Sequence, residues 1–157
     1  LFMKTEELMT RDVRTCSPDD SLEQAARIMW ETDVGCLVVT DGNHQPVGMI
    51  TDRDIAMAAY TQGVRLSDAR VSSAMAHQVA TCSPSTSLGD VEHTMQTAQV
   101  RRVPVVDAAG KLAGIVTLGD IARSAQSSPL RITETPGLAK TLASITEQRQ
   151  TAQAAAE

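Results

Sequence analysis

Apolar residues in the first half of the chain switch between two rhythms. A short apolar run at 13–16 reads as a strand. After it Leu22, Ala25, Ala26 and Met29 recur at helical spacing and give one apolar face. Ser21 stands where that helix begins, and Gln24 follows three residues later, in the position of a capping-box partner. Two runs of strand length come next, Cys36-Leu37-Val38-Val39 and Val47-Gly48-Met49-Ile50. The polar segment Asp41-Gly42-Asn43-His44-Gln45 between them predicts a hairpin. A second helix is expected from 52 to 60.

The same order then recurs. A strand is expected at 79–82, a helix from Ser87 through Leu88, Val91 and Met95, strands at 103–106 and 112–116 around the turn Asp107-Ala108-Ala109-Gly110, and a closing helix at 118–125. The recurrence extends to identity. At a fixed offset of 66 positions (82 − 16), Thr15-Cys16-Ser17-Pro18 falls on Thr81-Cys82-Ser83-Pro84, and Ser21-Leu22 on Ser87-Leu88. Gly48, Thr51 and Asp54-Ile55-Ala56 fall on Gly114, Thr117 and Asp120-Ile121-Ala122. A duplication of this kind means two copies of one β-α-β-β-α unit, each too small to bury its apolar face alone, packed against each other with clefts between them. The expected division is a first copy at 8–65, a linker at 66–74, a second copy at 75–127 and a partly helical tail at 128–157. The linker, with Gly63 ahead of it and a short helix near 66–69, reads as a connection rather than part of a core. In the tail, Leu138, Leu142 and Ile145 mark one helical face. Docking on a partner subunit and packing on its own domain both remain open for that helix.

Composition narrows the function. The 157 residues suit one domain, and Phe2, Trp30 and Tyr60 are the only aromatics, so aliphatic side chains and methionines must fill the interior. So few aromatics, a net charge of −5 and 14 scattered basic residues argue against nucleic-acid binding. No apolar run has the length of a membrane span and no signal peptide is recognisable, which points to a cytoplasmic protein. Leu1-Phe2 ahead of Met3 reads as a cloning remnant. Cys16, Cys36 and Cys82 form no CxxC pair and read as reduced thiols, Cys16 and Cys82 being structural and buried. His44, His77 and His93 have no acidic or cysteine companions at ligand spacing, so no metal site is expected. His77 could border a pocket. Met29 and Met95 read as core.

The run Val103-Pro104-Val105-Val106-Asp107, a small turn, Gly114-Ile115-Val116-Thr117 and Asp120-Ile121 resembles the signature of cystathionine β-synthase (CBS) domains. Leu37-Val38-Val39, Gly48-Met49-Ile50-Thr51 and Asp54-Ile55 repeat it in the first copy. The resemblance implies an α/β (α+β) fold with two β-α-β-β-α motifs about a pseudo-twofold axis, commonly pairing into a homodimer. It further implies a regulatory sensor of adenine nucleotides that is not a catalyst.

The residues themselves support a nucleotide site. A strand ending in Thr51 runs directly into a helix, so Thr51 and Asp54 face the space above its first turn. Free N–H groups and the helix dipole there would favour a phosphate, and Asp54 could accept from ribose hydroxyls. A single Thr-x-x-Asp would be read as a cap; its repetition as Thr117 and Asp120, at equivalent positions inside a pair that resembles CBS domains, favours a site. The resemblance implies that each site is completed across the axis. Thr51, Arg53 and Asp54 would share one with Val79, Arg101, Arg102 and Val103; Thr117 and Asp120 would share the other with Val13, Gly35, Cys36 and Leu37. The three arginines make the first the expected site for a phosphorylated ligand, and their alternative is a solvated patch. The second, without those three, would be weaker or differently selective. The expected ligand is AMP or another adenine nucleotide, ADP, ATP or NAD, with no catalytic cofactor and with an unidentified downstream protein as reader. No nucleophile elbow, Walker loop or metal motif organises a catalytic centre. The competing reading is an interaction or dimerisation scaffold with vestigial pockets.

Overall fold

The computed structural model describes residues 3–127 and 137–146; the proposed remnant at 1–2 and the remaining tail at 128–136 and 147–157 lie outside the described residues. Strand β1 (Thr15–Cys16) leads to helix α1 (Leu22–Thr32), the hairpin of β2 (Cys36–Thr40) and β3 (Pro46–Thr51), and helix α2 (Asp52–Gln62). The second copy supplies α3 (Leu88–Ala98), β4 (Arg102–Val106), β5 (Leu112–Thr117) and α4 (Leu118–Ser127), followed by α5 (Leu138–Thr146). Ser21 and Ser87 cap α1 and α3, each hydroxyl accepting from the amide three residues on, at 3.1 and 3.2 Å. Gln24 contributes only that amide, so the expected capping box is half formed.

One sheet has the order β1-β2-β3 and the other β4-β5. The expected first strands are shorter than their apolar runs: β1 spans two residues, and in the second copy only the parallel bridge of Cys82 to Val105 remains. Both hairpins carry a register shift at equivalent places, Val39/Thr40 and Val105/Val106. Their turns use the same device: Asp41 Oδ1 accepts from Asn43 and Gln45, and Asp107 Oδ1 from Ala109 and Lys111. The chain reverses through a left-handed residue, His44 (φ 61°) or Gly110 (φ 79°).

The copies interlock by exchanging their leading segments. The segment ahead of the first copy binds the second: Thr5 N–H donates to Thr86 O (2.9 Å), Glu6 to Pro84 (2.9 Å), and Leu88 N–H to Met3 O (3.2 Å). The linker repeats these bonds on the first copy, with Val71 N–H to Asp20 O (2.8 Å), Ser72 to Pro18 (3.0 Å) and Leu22 N–H to Ala69 O (2.9 Å). Further along, Thr10 bridges Ile115 on β5 and Ala76 bridges Met49 on β3. The linker is therefore core as well as connection. Ala69 and Val71 are buried within the first cluster, alongside Leu22, Met29, Leu37 and Ile50. Its expected helix is a pair of 3-10 turns, Leu66–Asp68 and Val71–Ser73. Met9, from the other leading segment, lies in the second cluster with Val91, Met95, Val103, Val116 and Ile121. Cys16 and Cys82 are buried, as their repeat positions suggested, and burial pushes the Cys16 thiol up to about 12.

Helix α5 packs on α3 and α4 of its own domain, in line with the second of the two readings of that helix. Leu138 and Ile145 pack against the second cluster and Thr141 is fully buried. Leu142, expected on the same face, is 53% exposed.

Candidate functional site

The two sheet-to-helix corners are built alike. Thr51 ends β3 and caps α2. Its Oγ1 accepts from Asp54 N–H at 3.2 Å, and Asp54 Oδ2 accepts from Thr51 N–H at 2.9 Å. Thr117 and Asp120 reproduce both bonds at 3.1 and 2.8 Å, and the Thr117 hydroxyl also donates to Asp120 Oδ2 at 2.7 Å. Each corner is thus a reciprocal cap, which fixes the threonine and the acid relative to each other.

Their remaining capacity differs. Asp54 Oδ1 has no partner among the described residues, whereas Asp120 Oδ1 is held by the Arg123 guanidinium from the next turn of α4. Sequence reasoning missed Arg123. Its spacing of three residues from Asp120 on a helix was the available signal, and it gives the second corner a cation of its own. Gly119 leaves room for it: a Cβ there would stand 3.3 Å from Arg123 Nη1.

One expectation is corrected. The first-turn amides of α2 are not free: Asp52 N–H donates to Gly35 O (3.2 Å), Arg53 N–H to Asp52 Oδ1 (2.8 Å) and Asp54 N–H to Thr51 Oγ1 (3.2 Å). A phosphate would have to displace the Asp52 carboxylate to reach the Arg53 N–H. In α4, Leu118 N–H is taken by Arg101 O (2.9 Å) and Asp120 N–H by Thr117, but the Gly119 N–H has no partner among the described residues.

Backbone pairing groups the remaining residues by copy. Cys36 lies opposite Thr51 and Arg102 opposite Thr117 in the two hairpins. Charge joins the copies at Cys36, whose thiol burial pushes up to about 11. Arg102 opposes that rise, Asp54 and Asp52 add to it, and Arg101 opposes it. The arginines of the second copy and the acids of the first therefore act on one half-buried cysteine. Among the described residues, Arg53, Arg101 and Arg102 make no ion pair with a carboxylate. Leu37 and Val103 are fully buried, so only their backbone could meet a ligand. Val13 and Val79 are half-buried and form no hydrogen bond to either corner. His44, His77 and His93 are exposed, and no group of three or more His, Cys, Asp or Glu residues is placed to hold a metal among the described residues. Nor, among those residues, is any helix long and apolar enough to cross a membrane.

Comparison with known proteins places this geometry in a family. The CBS domain pattern matches residues 6–60 and 71–127. The CBS domain-containing protein YhcV of Bacillus subtilis is 37% identical over 123 residues, covering 78% of this chain and 86% of that protein. Among solved structures, Hypoxic Response Protein I with two coordinated zinc ions superimposes with a TM-score of 0.70 at 30% identity, over 77% of this chain and 98% of that one. The CBS domain pair of MJ0100, in complex with 5′-methylthioadenosine and S-adenosyl-L-methionine, gives 0.72 at 25% identity, over 81% and 98%. With its duplicated β-α-β-β-α units, interlocked segments and paired Thr-Asp corners, the chain belongs to the CBS domain family, of which it carries two copies.

Proposed function

We propose that this CBS pair is a regulatory sensor that binds an adenosine-containing ligand at the seam between its copies, with the Thr51/Asp54 corner as the principal site for a phosphorylated one. The observation that carries the reading is the convergence on one half-buried cysteine of Asp54, whose Oδ1 has no partner among the described residues, with Arg101 and Arg102, which make no ion pair with a carboxylate among those residues. Asp54 Oδ1 is suited to accept from a ribose hydroxyl, and the guanidiniums to grip phosphate bidentately. Arg53 would add a third cation. The adenosine compounds bound by the MJ0100 pair support the ligand class. AMP, ADP, ATP and NAD are the candidates among nucleotides, and a downstream protein in the cytoplasm would read the change in packing.

The second corner, with Val13, Gly35, Cys36 and Leu37 as its neighbours, would select differently. Asp120 must release Arg123 to meet a sugar, yet Arg123 and the Gly119 N–H could together meet a single anionic group.

A thermal-shift panel of AMP, ADP, ATP, NAD, S-adenosylmethionine and GTP tests the reading. A ligand at about a hundredfold excess over its dissociation constant adds about 2.7 kcal/mol. At roughly 2–4 °C per kcal/mol, that is a rise of about 5–11 °C. Asp54→Ala should abolish the shift while preserving the unliganded melting temperature within a few degrees. If no adenine compound moves the wild-type protein, the scaffold reading stands instead.

A further inference from the structure

Among the described residues, Glu92 is the only charged side chain that the fold buries. It is 4% exposed, its Oε1 has no hydrogen-bond partner among those residues, and none of their ion pairs includes it. What encloses it is α5. Gly137, at the head of that helix, stands so close that a Cβ there would be 2.8 Å from Glu92 Oε2, and one turn on Thr141 is fully buried. At the offset of 66, Glu92 corresponds to Ala26 in the first copy, which lines an open groove. An acid on an uncovered helix face is ordinary; the covering segment is what makes this one costly. The charges around it do not answer it. On α3, Asp90 is bonded to Ser87 and His93 is exposed; on α4, Arg123 is held by Asp120; Lys140 on α5 and Lys4 on the leading segment are exposed.

The hold of α5 on its domain is modest. It spans nine residues, too few to stay helical in water by themselves. Leu138 and Ile145 supply its apolar contact with the second cluster, and three bonds tie it to the end of α3: Gln96 Nε2 to Thr141 Oγ1 (2.7 Å), Gln99 Nε2 to Ser144 O (3.4 Å) and Ser144 Oγ to Gln96 O (3.3 Å). A segment held in this way opens locally at less cost than the domain unfolds.

We propose that α5 is a proton-operated strap, which closes over α3 and α4 while Glu92 carries a proton and opens as Glu92 ionises. Protonated, the acid is a neutral group that the strap can cover; ionised, it is a bare charge that gains water when the strap lifts. Burial raises its carboxyl above the ordinary 4.5, so docking is strongest below 4.5 and weakens as pH rises through the raised value. Gln99, one of the tied residues, caps α3 just ahead of Arg101. Opening of the strap therefore acts on the turn that leads into the arginines of the seam.

Hydrogen exchange of the full chain, read by mass spectrometry from about pH 4 to about pH 8 as protection relative to the unfolded-chain rate, tests the strap. Thr141 N–H, bonded to Gly137 O at 2.7 Å, is one of the amides that reports on it. In the wild type the protection of α5 should fall as pH rises above 4.5, by up to about tenfold per pH unit, the linkage of one proton, and level off once the covered acid is itself ionised. The amides of α3 and β5 should keep theirs. Glu92→Gln, uncharged and of the same size, should hold the protection of α5 constant across the range, and so should Glu92→Ala, which installs the residue of the first copy. Any of three results would overturn the proposal. They are a wild-type α5 whose protection ignores pH, the same decline in both variants, which would assign it to another group such as His93, and a decline shared equally by α3 and β5, which would be unfolding of the domain rather than opening of one helix.

Discussion

Replacing Gly114 by alanine tests whether the exchanged segments hold the copies together. A Cβ at Gly114 would meet Met9 Sδ at 2.8 Å, Thr10 O at 2.9 Å and Met9 Cγ at 3.1 Å. The methionine can turn aside, but the carbonyl cannot. Thr10 is fixed by two hydrogen bonds with Ile115, each 2.9 Å, and the segment must move outward for the methyl group to fit. Overpacking of this kind costs about 1–3 kcal/mol, and weakening the two bonds adds roughly 0.5–1.5 kcal/mol for each. Against this, alanine restricts the unfolded chain and returns about 0.4–1 kcal/mol. The balance is a loss of roughly 1–6 kcal/mol, a sizeable part of the about 5–15 kcal/mol that keeps a domain folded. Gly48 faces the same geometry, with Met75 Sδ at 2.7 Å and Ala76 O at 2.9 Å, and should lose as much. Gly42, where a Cβ meets nothing within 4 Å, serves as the control and should be nearly neutral. Urea unfolding followed by circular dichroism measures all three. If Gly114→Ala and Gly48→Ala unfold at the wild-type midpoint, the leading segments do not bind the copies as described.

Two further substitutions probe the second copy and the site. Glu92 is buried against Gly137 with Oε1 unpartnered among the described residues, and burial raises its carboxyl above the ordinary 4.5. Its stabilising contribution is therefore complete below that value and is lost as pH rises through the raised one. Glu92→Gln should exceed the wild type in thermal stability at neutral and alkaline pH, within the about 1–3 kcal/mol cost of an unsatisfied buried group. The gap should close as pH falls toward 4.5, and a constant gap would refute the assignment. Arg102→Ala should weaken AMP binding by roughly 10–100-fold, the range of one charge-assisted hydrogen bond, and leave adenosine unchanged. Equal losses for both, read by calorimetry, would mean that Arg102 does not meet phosphate.

What could be read in the sequence was local. Helix faces, the Ser21 and Ser87 caps and both hairpins follow from spacing and turn chemistry, and each formed within a few residues of its expected bounds. The misreadings involve non-local partners. Ala69 and Val71 are too short an apolar run to signal core, and only their bonds to Leu22 and Asp20 make them so. Gly48 and Gly114 were legible as a repeated signature but not as the places where another copy's backbone comes close. The amides at the start of α2 seemed available because the sequence does not show that Gly35 O and the Asp52 carboxylate fold onto them. The threonine–acid pairs were legible because a reciprocal cap spans three residues. Their inequality was legible only in part, since Arg101 and Arg102 act across the copies and Arg123 acts within a helix.

The exchange of segments also determines what a ligand at the seam could accomplish. A compound that bound both packings of the copies equally would shift nothing; it must favour one, and a tenfold preference supplies only about 1.4 kcal/mol. That is small beside the hydrogen bonds of the swapped segments, so a ligand would not separate the copies. It could tilt them about the fixed contacts where Gln45 Nε2 meets Ala109 O and Leu112 N–H meets His44 O at the hairpin tips. The α2 helix begins at the Thr51/Asp54 corner, so its capped end is where such a tilt would be coupled to the ligand.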